Sequence, residues 1–250
     1  MSTATAAPAA AAPSMLDLVG WDAEMANPKT ANYEKLYEQM AQAAKGSPEN
    51  VEIMWRLAYA TYSLSLNLTD INDIKAKTTE AFNLAEKVVA IDSNHFQGNM
   101  WMAMTAGKLA LIGSNIQAKI KYTVAFLRAL AVCVRLKPTD PMVLFMEGRL
   151  QLALSSLTEE EKAAIQKQFP LPNSNWAEAE AKLRQSIAIN GAYIDGYITL
   201  AYLLIKAKKY AEAKEVILKG LSLELVTKSD QEVAAELKSL QTRIGKLVPQ

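Results

Sequence analysis

Apolar residues along this chain gather in short clusters, each holding one small residue: WRLAYA (55–60), MWMAMTAG (100–107), FMEGRL (145–150) and ITLAYLL (198–204). The small residues are Ala58, Ala103, Gly148 and Ala201, and each stands ten positions after a turn or cap residue: Pro48, Ser93, Pro138 and Gly191. A turn at fixed distance from a small helical position, recurring down a chain, predicts stacked helical hairpins whose backbones approach closely at the small side chain. The tetratricopeptide period is about 34 residues. Here the small positions lie 45, 45 and 53 residues apart, so the repeats carry insertions.

Between these clusters the helical period continues. Tyr33, Leu36, Tyr37 and Met40 share one face of a helix over 31–45, which Gly46, Ser47 and Pro48 end. Helices follow at 50–66 and 71–91, then a hairpin over 96–137 broken near Gly113, Ser114 and Asn115. After a helix at 140–156, the Thr158 to Glu161 capping box predicts an extra short helix. Phe169-Pro170-Leu171-Pro172 forces an extended link, because each proline restricts itself and its predecessor. Asn173, Ser174 or Asn175 caps a helix at 176–190, and the last hairpin spans 193–224. A second capping box, Ser229 to Glu232, opens a polar terminal helix reaching about Leu247, as a solenoid end requires. The expected fold is an all-α, tetratricopeptide-like solenoid over 29–250 with a C-terminal capping helix, preceded by a disordered Ala/Pro-rich tail over 1–28.

Composition agrees with helix. Ala and Leu dominate, only 7% of residues are aromatic, and no alternating strands flank Asn-Gly or Asp-Gly turns. A single cysteine, Cys133, fits a reducing compartment. The first basic residue is Lys29, and Pro8 and Pro13 interrupt the opening, so neither a secretory signal nor a transit peptide is expected. No run of 18 apolar residues predicts a transmembrane segment. The net charge of +1 conceals a gradient: residues 1–100 carry −5, residues 101–150 carry +5, and residues 151–250 carry +1. No acid occurs between Asp92 and Asp140, which predicts a local positive field.

The inserted phrases NHFQGNMWMAMTAGKLAL (94–111), KPTDPMVLFMEGRL (137–150), QFPLPNSNWAEAEAKL (168–183) and LVTKSDQEVAAELKSL (225–240) resemble the regulator of microtubule dynamics family. The resemblance covers roughly 30–247. It implies a cytosolic tetratricopeptide-like domain that associates with microtubules and the mitotic spindle. Some relatives carry an N-terminal membrane anchor and work at organelle contacts, where the domain is linked to phospholipid. An N-terminus without an anchor favours the spindle-associated branch, with tubulin, further spindle proteins and, alternatively, phospholipid as partners.

Two surfaces are candidates for those partners. Lys121, Arg128 and Arg135 recur every seven residues and form one helical stripe, with Lys119 and Lys137 near in sequence. The stripe is either a dock for an acidic polymer or headgroup, or a solvated face. Around the small residues, Trp55, Tyr59, Met100, Met104, Phe145, Arg149, Ile198 and Tyr202 should line the concave side. Such a lining suits an amphipathic helix or an acyl chain if open, and is core if covered. His95 reads as a cap, Cys133 as a buried thiol, and Glu159 to Glu161 as a helix start. No phosphate loop, nucleophile elbow, metal motif or dinucleotide fingerprint is present, so neither catalysis, metal, cofactor nor nucleic acid is expected.

Overall fold

Asn32, Asn50, Asp70, His95, Asn115, Asp140, Thr158 and Asn175 each accept a hydrogen bond from an amide two or three residues onward, and these caps divide most of the chain into its helices. The computed structural model describes residues 15–113, 115–173 and 175–245. Among them are twelve α-helices and no strand. They are α1 (Met15–Met25), α2 (Tyr33–Gly46), α3 (Val51–Ser65), α4 (Ile71–Ile91), α5 (Phe96–Ile112) and α6 (Ile116–Leu136). They continue as α7 (Pro141–Ser155), α8 (Glu159–Gln166), α9 (Trp176–Ile189), α10 (Ile194–Lys206), α11 (Tyr210–Leu221) and α12 (Lys228–Gly245).

The hairpins are α3–α4, α5–α6, α7–α9 and α10–α11. Their inner helices α3, α5, α7 and α10 carry Ala58, Ala103, Gly148 and Ala201, all buried. The close approach is measurable at Gly148, where an added Cβ would lie 2.4 Å from Leu183 Cγ on α9. The insertion that lengthens the third repeat is α8 with the extended link behind it. Both halves of the Thr158–Glu161 box are formed, and α8 packs against α6. α12 buries Ala234, Leu237, Leu240 and Ile244 against α10 and α11, which closes the end of the stack.

Two departures from the expected elements are informative. The tail expected over 1–28 is helical from Met15 to Met25, because Leu18, Trp21 and Met25 recur at helical spacing; Trp21 and Met25 are buried beside α2 and α3. Residues 1–14 lie outside the described residues. The last cap is placed two residues early: Thr227 Oγ1 accepts from Asp230 N while Asp230 Oδ2 accepts from Thr227 N, so α12 starts at Lys228 instead of after Ser229. Its end near Leu247 lies outside the described residues, as do Ser114 and Ser174.

The solenoid also returns on itself. At the start of α12, Lys228 N donates to Asn67 Oδ1 at 3.3 Å, and Ser229 N donates to Leu66 O at 3.0 Å in the α3–α4 turn. Lys29 pairs with Glu224 on the same side. The two chain ends of the domain are therefore neighbours.

Candidate functional site

α6 is amphipathic with an unusual polar face. Thr123, Val124, Phe126, Leu127, Leu130 and Cys133 are buried, whereas Lys121, Arg128 and Arg135 are exposed, and Lys137 follows at the C-cap. Among the described residues no carboxylate forms an ion pair with any of these four cations. Lys121 Nζ sits 5.3 Å from the Tyr122 ring and Lys137 Nζ 4.2 Å from the Phe96 ring. Arg128 donates to Gln168 O at 3.3 Å, and Arg135 donates to Asn94 Oδ1. These contacts hold the side chains in place and leave their charge uncompensated. Lys119 differs: the inserted α8 brings Glu161 to 3.0 Å from it and takes it out of the positive set. Lys121 and Arg128 border a groove of about 460 Å³ between α4, α6 and α8, with Phe82, Met102 and Val124 inside and Glu86 as its acid.

The concave lining expected from the repeat is not an open groove. At one end α1 and α2 cover it: Tyr59 hydrogen-bonds to Tyr33 of α2 at 2.9 Å, and Arg56 pairs with Asp22 of α1 at 2.6 Å. Trp55 donates to Glu52 at 3.0 Å and lies 4.2 Å beneath the Arg56 guanidinium. In the middle, Met100, Met104, Phe145 and Ile198 are core residues, at most 8% exposed. At the other end Tyr202 donates to Glu236 of α12. The first turn of α12 meets Leu66 and Asn67. Met104, Phe145 and Arg149 line a cavity of only about 70 Å³.

Behind that roof lies a polar interior that the repeat spacing did not reveal. The Trp101 ring lies tilted at 4.7 Å from Tyr59 and 5.9 Å from Tyr62, yet its buried Nε1 has no partner. Tyr193 meets Phe145 edge-on at 4.9 Å, and Arg149 lies 5.7 Å from that same ring. Burial pushes the Asp195 carboxyl above its ordinary value, against the pull of Arg149 and Lys108. Burial likewise pushes Tyr62 up to about 12, with Asp195 adding to it, and raises Tyr193 well above the phenol range. Asp195 thus feels the charges of Arg149 and Lys108, and Tyr62 and Tyr193 feel those of Asp195 and Arg149. The available signal was Tyr62 one turn after Ala58 and Phe145 one turn before Gly148.

The remaining sequence candidates are structural. His95 Nδ1 accepts from Gly98 N at 3.0 Å as the α5 cap, so its ring proton is on Nε2, which faces Glu52 Oε1 at 3.2 Å. Cys133 is buried, and burial pushes its thiol up to about 12, unsuited to a nucleophile. Among the described residues no group of His, Cys, Asp and Glu could hold a metal, and no helix is long and apolar enough to cross a membrane.

Residues 21–245 match the family model of Regulator of microtubule dynamics protein 1-3. Similar curated proteins include human Regulator of microtubule dynamics protein 2, 24% identical over 198 residues, which cover 78% of this chain and 48% of that protein. Regulator of microtubule dynamics protein 3 of Bos taurus is 26% identical over 197 residues, 78% of this chain and 41% of that protein. Regulator of microtubule dynamics protein 1 of Caenorhabditis elegans is 20% identical over 213 residues, 85% of this chain and 93% of that one. The chain spans about half the length, or less, of the mammalian relatives it matches. A solved structure of a thermophilic TPR protein from Thermus thermophilus superposes with a TM-score of 0.56 at 18% identity, covering 91% of this chain and 97% of that one, which establishes the fold alone.

Proposed function

The chain belongs to the regulator of microtubule dynamics family, and on that premise we propose that it is a non-enzymatic scaffold that docks on the acidic surface of microtubules. In this reading it works on the cytoskeleton, at the spindle and its poles, in spindle organisation and chromosome segregation. The observation that carries the docking surface is the row Lys121, Arg128, Arg135 and Lys137, exposed on α6 without an ion-pair partner among the described residues. An ordinary solvated helix mixes both signs, whereas this one carries no acid between Asn115 and Lys137. Cations held by neighbours and left uncompensated are suited to a dense anionic lattice. Such docking weakens as salt shortens the Debye length from about 10 Å at 0.1 M to about 3 Å at 1 M. Cosedimentation with polymerised tubulin over rising salt tests it: pelleting at low salt that fades with added salt is expected, and none at low salt would overturn the reading.

A second partner class, a phospholipid, requires the roofed interior to open, because its cavity of about 70 Å³ is too small for an acyl chain as it stands. Arg149 and Lys108 supply positive charge for a headgroup, and Trp101, Tyr59 and Phe145 supply apolar walls. Native mass spectrometry of the purified chain tests this, with co-purifying lipid expected. Its absence, together with no extraction from liposomes, would remove lipid as a partner and leave the microtubule reading standing.

A further inference from the structure

The stack has a seam. α4 lies closely along α5, but α6 only brushes α7, and α8 with the link over 167–173 lies beside this seam. They fill it only in part. A groove of about 480 Å³ remains between α6, α7 and α9, floored by Leu127, Leu130 and Leu150 and walled by Phe169-Pro170-Leu171-Pro172. At its polar end Glu147 Oε1 is paired with Lys182, while Glu147 Oε2 is buried with no hydrogen-bond partner. Glu178, 3.6 Å from Lys182, also lines the groove, so two carboxylates share one ammonium.

We propose that this groove docks a short extended segment of a partner protein, with aliphatic side chains over the leucines and one Lys or Arg directed to Glu147. The charge selects the occupant: an unsatisfied carboxylate oxygen in an acidic pocket end calls for a cationic donor. It also rejects an anionic headgroup, and an acyl chain would leave the oxygen orphaned. The volume falls within the roughly 300–1,000 Å³ of ligand pockets, enough for a few side chains. Pro170 and Pro172 offer no amide, which leaves the strap few donors for adding the segment as a strand and places recognition on the side chains. The site is independent of the cation row. α6 therefore presents a basic row on its exposed face and an apolar floor on another, for partners of opposite charge.

The test titrates the full chain with the peptide acetyl-Leu-Pro-Leu-Arg-Leu-amide and with its counterpart bearing glutamate in place of arginine, read by calorimetry and by amide shifts of α6 and α9. Saturable binding of the arginine peptide is expected, with the glutamate peptide at least about tenfold weaker. Ala131→Trp, at an exposed position on the groove wall, should abolish binding by filling it, and Glu147→Gln should weaken it about tenfold. Both variants should still pellet with microtubules, which separates this proposal from the preceding one. No saturable binding of the arginine peptide, equal binding of the glutamate peptide, or binding unchanged in both variants would overturn it. So would a co-purified lipid in the groove, or self-association that Ala131→Trp removes.

Discussion

Gly148 on α7 presses directly on Leu183 of α9: a Cβ there would meet Leu183 Cγ at 2.4 Å and Ala179 O at 3.0 Å. One neighbour is backbone and the other a fully buried side chain, so neither can yield cheaply. Gly148→Ala is expected to lower stability by about 1–3 kcal/mol through overpacking. Gly20 in α1 has no atom within 4 Å of the same position. Gly20→Ala should instead raise stability by about 0.5–1 kcal/mol. Opposite shifts in denaturant midpoint check the pair, and equal ones would show that the hairpin phase is wrong.

Reversing the charge of Lys121, Arg128 and Arg135 together should abolish salt-sensitive pelleting with microtubules. Arg128 and Arg135 each make one polar contact in the fold, so the melting temperature should fall only slightly, by what about 0.5 kcal/mol per site allows. Reversing the exposed Lys214, Lys219 and Lys238 is the control and should leave pelleting intact. Loss in the control with retention in the α6 variant would move the docking surface to the C-terminal helices.

Acid should weaken the contacts that Glu52 of α3 makes with Trp55, Arg56 and His95. Glu52 is pulled down to about 2: burial alone would raise it, but hydrogen bonds from Trp55, Arg56 and His95 and the Arg56 charge prevail. Its folded value lies below the ordinary 4.5. The stabilisation is therefore complete above about pH 4.5 and is lost as pH falls toward 2. Thermal melts across that window should show a declining limb that Glu52→Gln flattens. The side chain is 48% exposed, so solvent screening keeps the effect modest.

Lys208, at the turn between α10 and α11, holds φ 60°, the left-handed region that costs a residue bearing a Cβ about 1–2 kcal/mol. Lys208→Gly relieves that strain while loosening the unfolded chain, so a net gain of up to about 1 kcal/mol is expected. A lower melting temperature would show that the lysine side chain contributes more than its backbone costs.

The hairpins were legible because local rules fix them. Caps such as Thr158 and Asn175, breakers such as Pro170 and Pro172, and the buried Ala58, Ala103 and Ala201 each act within a few residues of chain. The cation row was legible for the same reason, since seven-residue spacing needs only one helix. What covers the concave side was not, because it depends on contacts between distant segments: Tyr59 with Tyr33 and Met25, Tyr202 with Glu236, Lys228 with Asn67. Helix α1 hid behind composition. Its Leu18, Trp21 and Met25 have the right spacing, but an Ala/Pro-rich leader precedes them. The pairing of Lys119 with Glu161 required knowing that the insert folds back onto α6.

The bond from Lys228 to Asn67 joins positions 161 residues apart. Linear repeat arrays fray from their ends, each unit held only by its neighbours, and can gain or lose a unit without consequence elsewhere. A stack whose last helix rests against its first hairpin has no such freedom. Its last helix and first hairpin are coupled by these contacts, part of its folding is a long-range closure, and a repeat inserted between them would pull the two contacting turns out of register. The ring closure fixes the number of hairpins.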